Sequence, residues 1–253
     1  MKNVTDKLNY RVFNSLDSTN SEARKMATSA KPSTWLLALK QTAGRGRRGK
    51  RWLSSTDSFT ASFLSYPKVK ESEMVLRSYI AGIALYDSVT KIGINSHLIT
   101  LKWPNDLLLN GKKVGGILLE TATVKSCREK ALIVGFGLNL ITSPQLTDLH
   151  VGALEPDCLL SSGKFIPKAE EFLNVLIPTY KAWENILAEH GFSKIREEFL
   201  RRTIPIGTKI VFKIFNKSTI AKFSGISEDG SLLLESDSGP MVVTAGDVFL
   251  IGK

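Results

Sequence analysis

The sequence predicts an α+β fold, with strands and helices interleaved over residues 1–203 and a small β-barrel over 204–253. Three observations lead there. Apolar runs of strand length recur between polar turns from Tyr10 to Leu140. Two longer segments, Met74 to Ile92 and Ala169 to His190, have the length and apolar spacing of helices. Beyond Thr203 the composition shifts to closely spaced short strands and turn residues.

In chain order, Tyr10 to Leu16 reads as a strand ending in the polar turn Asp17-Ser18-Thr19-Asn20. That turn also suits a helix N-cap, because these side chains accept bonds from the free amides of a first turn. A helix is expected to follow as far as about Thr28. Trp35 to Lys40 and Phe59 to Tyr66 read as strands, separated by a loop rich in Gly and Arg. Leu98–Trp103, Asp106–Leu109, Val114–Thr121 and Ala131–Leu140 are further strands, with Asn110-Gly111 as a hairpin turn. A second short helix is expected at Lys194–Leu200. The tail reads as five strands, Lys209–Phe215, Ser218–Ile226, Leu232–Glu235, Met241–Thr244 and Val248–Ile251, closing into a barrel. A unit of that size is near the lower limit for independent folding and should lean on the larger one.

With 253 residues, 43% hydrophobic and 23% charged, the chain has an ordinary globular composition. It holds no apolar run of the roughly 20 residues that a membrane span needs. The N-terminal segment lacks the apolar core of a signal peptide, so a cytoplasmic location is expected, with no membrane partner. Cys127 and Cys158 have no metal-like spacing and read as ordinary thiols. The net charge of +10 suits nucleic acid, anionic small substrates or an acidic protein partner, and charge alone leaves these open.

Four segments could carry chemistry. In Gly44-Arg45-Gly46-Arg47-Arg48-Gly49-Lys50-Arg51-Trp52, glycines let backbone amides approach an anion and arginines offer forked donors. Trp52 beside such a loop can stack on a base. A solvated basic loop or a nucleic-acid arm is the alternative. In Lys102-Trp103-Pro104-Asn105-Asp106 a lysine can neutralise phosphate and a carboxylate can hold Mg²⁺, or the two can form a structural ion pair. In Lys113-Val114-Gly115-Gly116 a lysine entering an apolar strand needs a partner for its charge, and the glycines allow a bulge or close ligand approach. In Gly135-Phe136-Gly137-Leu138-Asn139 glycines alternate along a strand that must meet a flat or bulky neighbour.

Taken in order with Ser18-Thr19-Asn20 and Gln41-Thr42-Ala43, these segments closely resemble the biotin protein ligases, also called biotin–acetyl-CoA-carboxylase ligases or holocarboxylase synthetases. The resemblance implies a mixed sheet with helices, related to class II aminoacyl-tRNA synthetases, followed by an SH3-like barrel. It implies ATP and Mg²⁺ as cofactors, biotin as substrate, biotinyl-5′-AMP as intermediate, and a lysine of a biotin carboxyl carrier protein or domain as acceptor. It assigns Ser18, Thr19, Asn20 and Gln41 to biotin, with Gly115 and Gly116 close by. Arg45, Gly46, Arg47 and Lys113 fall to the carboxylate and phosphate, and Lys113, Arg47 and Asp106 to catalysis, Asp106 through Mg²⁺ or by orienting the reacting groups. Arg48, Trp52, Lys102, Asn105 and Asn139 fall to ATP or the adenylate. Only 17 residues precede Ser18, so the short form without a winged helix-turn-helix is expected, with no sequence-specific DNA partner, as monomer or homodimer. A lipoate–protein ligase shares the fold, and a basic nucleic-acid-binding protein is the reading from another class.

Overall fold

The computed structural model describes residues 9–27, 32–124, 130–145, 154–214 and 217–250. The first sheet is built from β1 (Tyr10–Phe13), β2 (Thr34–Ala38), β3 (Ser58–Ser65), β4 (Ile99–Lys102), β5 (Asp106–Leu109), β6 (Lys112–Thr123) and β7 (Lys130–Asn139). Its order is β1-β2-β3-β7-β6-β5-β4. β1 and β2 run parallel and the other neighbours antiparallel, so the sheet is mixed.

Alternation along the strands divides this sheet into two faces. Trp35, Leu37, Phe59, Ala61, Val134, Phe136 and Leu138 join the main core with the helices α3 (Arg77–Lys91) and α4 (Ala169–Arg202). Leu36, Leu64, Ile133, Ala131 and Ala122 face the other way and form a smaller cluster with Ala23 and Ala27, at and just after α1 (Thr19–Met26). α1 covers only part of that second face. The uncovered part is where the cleft lies.

The helix expected over Met74–Ile92 divides into α2 (Glu71–Met74) and α3. Val75 and Leu76 keep helical dihedrals, but the bonds there tighten to three-residue steps, from Ser78 N to Val75 O and from Tyr79 N to Leu76 O. The two helices expected after residue 168 form one element, α4, broken at Gly191 with φ 70° and ψ −176°. Expectations for Thr28, Cys127, Phe215 and Ile251 lie outside the described residues. Cys158 is a free thiol.

The tail holds the five expected strands, β8 (Lys209–Ile214), β9 (Lys217–Ile226), β10 (Leu232–Ser236), β11 (Gly239–Val243) and β12 (Asp247–Leu250). They form a separate antiparallel sheet in the order β11-β10-β9-β8-β12. Among the described residues no ladder joins the edge strands β11 and β12. No described helix is long and apolar enough to cross a membrane.

The two sheets are tied by buried polar contacts. Trp103 Nε1 donates to the Tyr79 hydroxyl at 2.9 Å, and that hydroxyl donates to the carbonyl of Gly230. Thr203 pairs with Leu101 beside β4, its hydroxyl donating to the Leu101 carbonyl at 2.7 Å. Removing the Tyr79 hydroxyl strands a buried indole N–H and a carbonyl together. Tyr79→Phe should therefore lower stability by about 2 kcal/mol, measured by urea unfolding. An unchanged midpoint and slope would show that neither group depends on the hydroxyl.

Candidate functional site

The cleft floor is made of residues that share one face of the sheet. On β7 these are Gly135, Gly137 and Asn139, and on β6 Gly116 and Leu118. Gly116 and Gly137 are register partners, so their bare backbones lie side by side. The indole of Trp52 rests on this pair. A Cβ at Gly137 would come within 2.5 Å of the ring, and one at Gly116 within 3.6 Å. At Gly135 a Cβ would fall 2.3 Å from Asn20 Oδ1. The glycine alternation in the sequence thus has a packing cause: Gly135 makes room for Asn20 and Gly137 for Trp52. Trp52 Nε1 and Asn139 Oδ1 are both buried without a hydrogen-bond partner among the described residues.

A cluster of charges closes one side. Strict alternation would put Lys113 on the face of Gly115, toward Leu85 in the core. A register shift between Leu107 and Leu108, opposite Lys113-Val114-Gly115, prevents this. Lys113 therefore stands on the face of Gly116, its Cε 3.6 Å from where a Cβ there would lie. Its ammonium donates to Asp106 Oδ1 at 2.6 Å. Lys102 donates to Asp106 Oδ2 at 2.8 Å and to the Val248 carbonyl of β12 at 3.0 Å. Burial alone would push the Asp106 carboxyl up, but Lys102 and Lys113 together outweigh it and hold the group well below the usual carboxylate range. Lys113 Nζ also lies 5.8 Å from the centroid of Trp52.

The Gly-Arg loop is a small hairpin over the cleft. Arg45 bridges Arg51, Gly46 N donates to Lys50 O, and Trp52 N donates to Gly44 O. Arg47 reaches Asn105 Oδ1 at 3.3 Å, while Asn105 Nδ2 donates to Ile117 O at 2.7 Å. Arg45 donates to Glu120 at 2.8 Å. The opposite end is polar. Ser18 is the N-cap of α1 but makes no side-chain cap. The Thr19 amide instead donates to Gln41 Oε1 at 2.7 Å. Ser62, fully buried, lies within hydrogen-bond distance of Thr19 and Asn20. From the small sheet, Val248 and Phe249 complete the wall.

A family model described as the biotin/lipoate A/B protein ligase family matches residues 12–139. Another, the biotin protein ligase C terminal domain, matches residues 214–251. The biotin–[acetyl-CoA-carboxylase] ligase of Paracoccus denitrificans is 35% identical over 93% of this chain and 98% of its own length. The chain belongs to the biotin/lipoate A/B protein ligase family. The bifunctional ligase/repressor BirA of Bacillus subtilis is 29% identical over 93% of this chain and 72% of its own. In structure, the biotin protein ligase from Aquifex aeolicus in complex with biotin and ATP superposes with a TM-score of 0.79 at 25% identity, over 97% of this chain and 99% of that one.

Most of the residues assigned from the family resemblance line this one cleft: Ser18, Thr19, Asn20, Gln41, Arg45, Gly46, Arg47, Trp52, Lys102, Asn105, Asp106, Lys113, Gly116 and Asn139. Two do not. Gly115 faces Leu85 and Leu138, because strand alternation sets it opposite Gly116. Arg48 is exposed at the hairpin tip, where its φ of 54° turns it away. Asp106 does not fit a magnesium ion, since each oxygen already accepts from an ammonium and a divalent cation there would stand against two positive charges. Among the described residues no group of three or more His, Cys, Asp or Glu gathers to hold a metal. Lys102 is buried in the cleft wall and donates to Asp106 and to the Val248 carbonyl, which positions Asp106. Sequence reasoning gave no role to Pro156, Val248 and Phe249, which carry no local motif, nor to Lys50, which it quoted only as part of the Gly-Arg loop.

The depressed Asp106 pKa carries a stability signature. A carboxyl lowered on folding stabilises the protein above its unfolded pKa, near about 4, and that contribution is lost as pH falls below it. Asp106→Asn leaves two ammonium groups without their counter-charge and should cost about 3 kcal/mol at pH 7. The difference from wild type should narrow as pH falls from about 5 toward 3, measured by urea unfolding across that range. A pH-independent difference would contradict the ion-pair account.

Proposed function

We propose that this chain joins biotin to a lysine of a biotin carboxyl carrier protein or domain, by way of biotinyl-5′-AMP, with the magnesium complex of ATP as co-substrate and the cytoplasm as its compartment. One observation carries the reading: the Lys113 ammonium, clamped by Asp106, stands in a single cleft between a polar Thr19–Gln41 end and a glycine floor with an aromatic ring and an unsatisfied amide acceptor.

The ureido ring of biotin lies at the Thr19–Gln41 end, where its N–H and C=O groups find partners that a buried urea requires. The valeryl chain runs along Leu118 and the floor toward Lys113. There a carboxylate must approach a polyanionic triphosphate, and positive charge offsets the repulsion. Lys113, Arg45 and Arg47 supply it at the carboxylate and α-phosphate. Asp106 and Lys102 fix the direction of Lys113 through a buried chain that ends at Val248. The adenine takes Trp52 as stacking partner and offers an amino group to Asn139 Oδ1, the acceptor the fold leaves open.

In the first half-reaction a biotin carboxylate oxygen bonds to the α-phosphorus as the bond to pyrophosphate breaks. In the second, the acceptor lysine nitrogen bonds to the acyl carbon, the acyl–oxygen bond to AMP breaks, and the amine gives up its proton. Wild type incubated with biotin and the magnesium complex of ATP should yield biotinyl-AMP by mass spectrometry. Lys113→Ala should lower the single-turnover rate of adenylate formation by roughly 10²–10³-fold while remaining folded. A rate near wild type would remove Lys113 from this role.

A further inference from the structure

Phe249 belongs to two surfaces at once. It lines the cleft wall, and alternation along β12 sets it on the outward face of the small sheet, because Val248 beside it is buried in the core. Its register partner on β8 is Val211, and the partner of Val211 on β9 is Ile220. Three apolar side chains thus make one row across three neighbouring strands. The row begins in the cleft and ends in solvent, where Ile220 is 63% exposed. The fold does not need it there, since Ile210, Phe212 and Ala221, on the opposite face of β8 and β9, already fill the core of the small sheet.

The rows on either side of it are polar. Asp247, Lys213 and Ser218 are in register along one flank, and Lys209, Lys222 and Glu235 along the other. An apolar strip framed by charged groups is the anatomy of a protein contact, in which the strip excludes water and the rim sets the register. Its position says which protein. A lysine that attacks an adenylate in the cleft must be carried in by a folded domain, and that domain has to rest on the surface beside the cleft mouth. The row is continuous with that mouth through Phe249. The basic Gly-Arg hairpin lies over the same cleft and the whole chain carries a net charge of +10, so the domain that fits is acidic around an apolar patch.

We infer that the row Phe249–Val211–Ile220 is a docking surface for the carrier domain that presents the acceptor lysine. This rests on the chain being a ligase that acts on such a domain.

The test uses the purified full chain with biotin, the magnesium complex of ATP and one of two nucleophiles. One is the biotin carboxyl carrier domain of an acetyl-CoA carboxylase, which must dock. The other is hydroxylamine, whose nitrogen bonds to the acyl carbon as AMP leaves, with no docking needed. Ile220→Asp should raise KM for the carrier domain about tenfold. Its kcat, and its rate with hydroxylamine, should stay within about twofold of wild type. Ile220→Thr, a milder change, should raise KM about threefold and serves as the reading should Ile220→Asp fail to fold. Val242→Asp places the same charge at a 67% exposed position on β11, the far edge of the sheet, and should leave both reactions as in wild type. An unchanged KM in folded Ile220→Asp overturns the proposal, and a loss of self-association in that variant then gives the row to a second copy of this chain. Equal rises in KM for Ile220→Asp and Val242→Asp overturn it as a general effect of charge. A slowed hydroxylamine reaction in both Ile220 variants overturns it too, and assigns Ile220 to the build of the site. If wild type gives neither product, the ligase reading itself fails and this inference falls with it.

Discussion

Lys102, Asp106 and Lys113 meet where β4, β5 and β6 come together beside the second sheet, and the cleft depends on that contact. An isolated buried carboxylate is costly, and so is a buried ammonium. Here one carboxylate accepts from two lysines, and Lys102 donates as well to a backbone carbonyl of β12. The arrangement leaves a net positive charge with Lys113 at the cleft edge, 30% exposed and able to meet an anion. Loss of any partner leaves an uncompensated charge in a place water cannot easily reach.

The same contact explains why the small sheet matters to the site. Its strands are too few to make a large core of their own. They dock instead through Lys102 to Val248 and Tyr79 to Gly230, and in docking they place Val248 and Phe249 on the cleft wall. The charged side of the cleft is therefore built by two parts of the chain. The glycine floor is the work of one sheet face alone.

Much of this was legible in the sequence because it rests on local periodicity. The alternation of Gly135, Gly137 and Asn139 is a strand property, and the bulky neighbours it implied are Asn20 and Trp52. The two arms of α4 were readable from their apolar spacing, and the tail strands from their turn residues. What could not be read depends on contacts distant in sequence or on register. The shift opposite Lys113 moves Lys113 to the face opposite Gly115, and no pattern in Lys112-Lys113-Val114 announces it. The Lys102–Asp106 ion pair was one of the alternatives the sequence left open, but the second lysine on Asp106, Lys113, arrives through the register shift. Glu120 sits in an ordinary strand and finds its partners, Asn20 and Arg45, only when they arrive from elsewhere in the chain.

The central claim is that Lys113, fixed by Asp106, contacts the carboxyl–phosphate junction of biotinyl-AMP. A crystal structure of the full chain with biotinyl-AMP tests it most directly. The account predicts Lys113 Nζ within about 3 Å of an oxygen of that junction, with the Lys113–Asp106–Lys102–Val248 chain intact. An adenylate bound with its phosphate away from Lys113, or Asp106 released from both lysines to hold a metal ion, would contradict it.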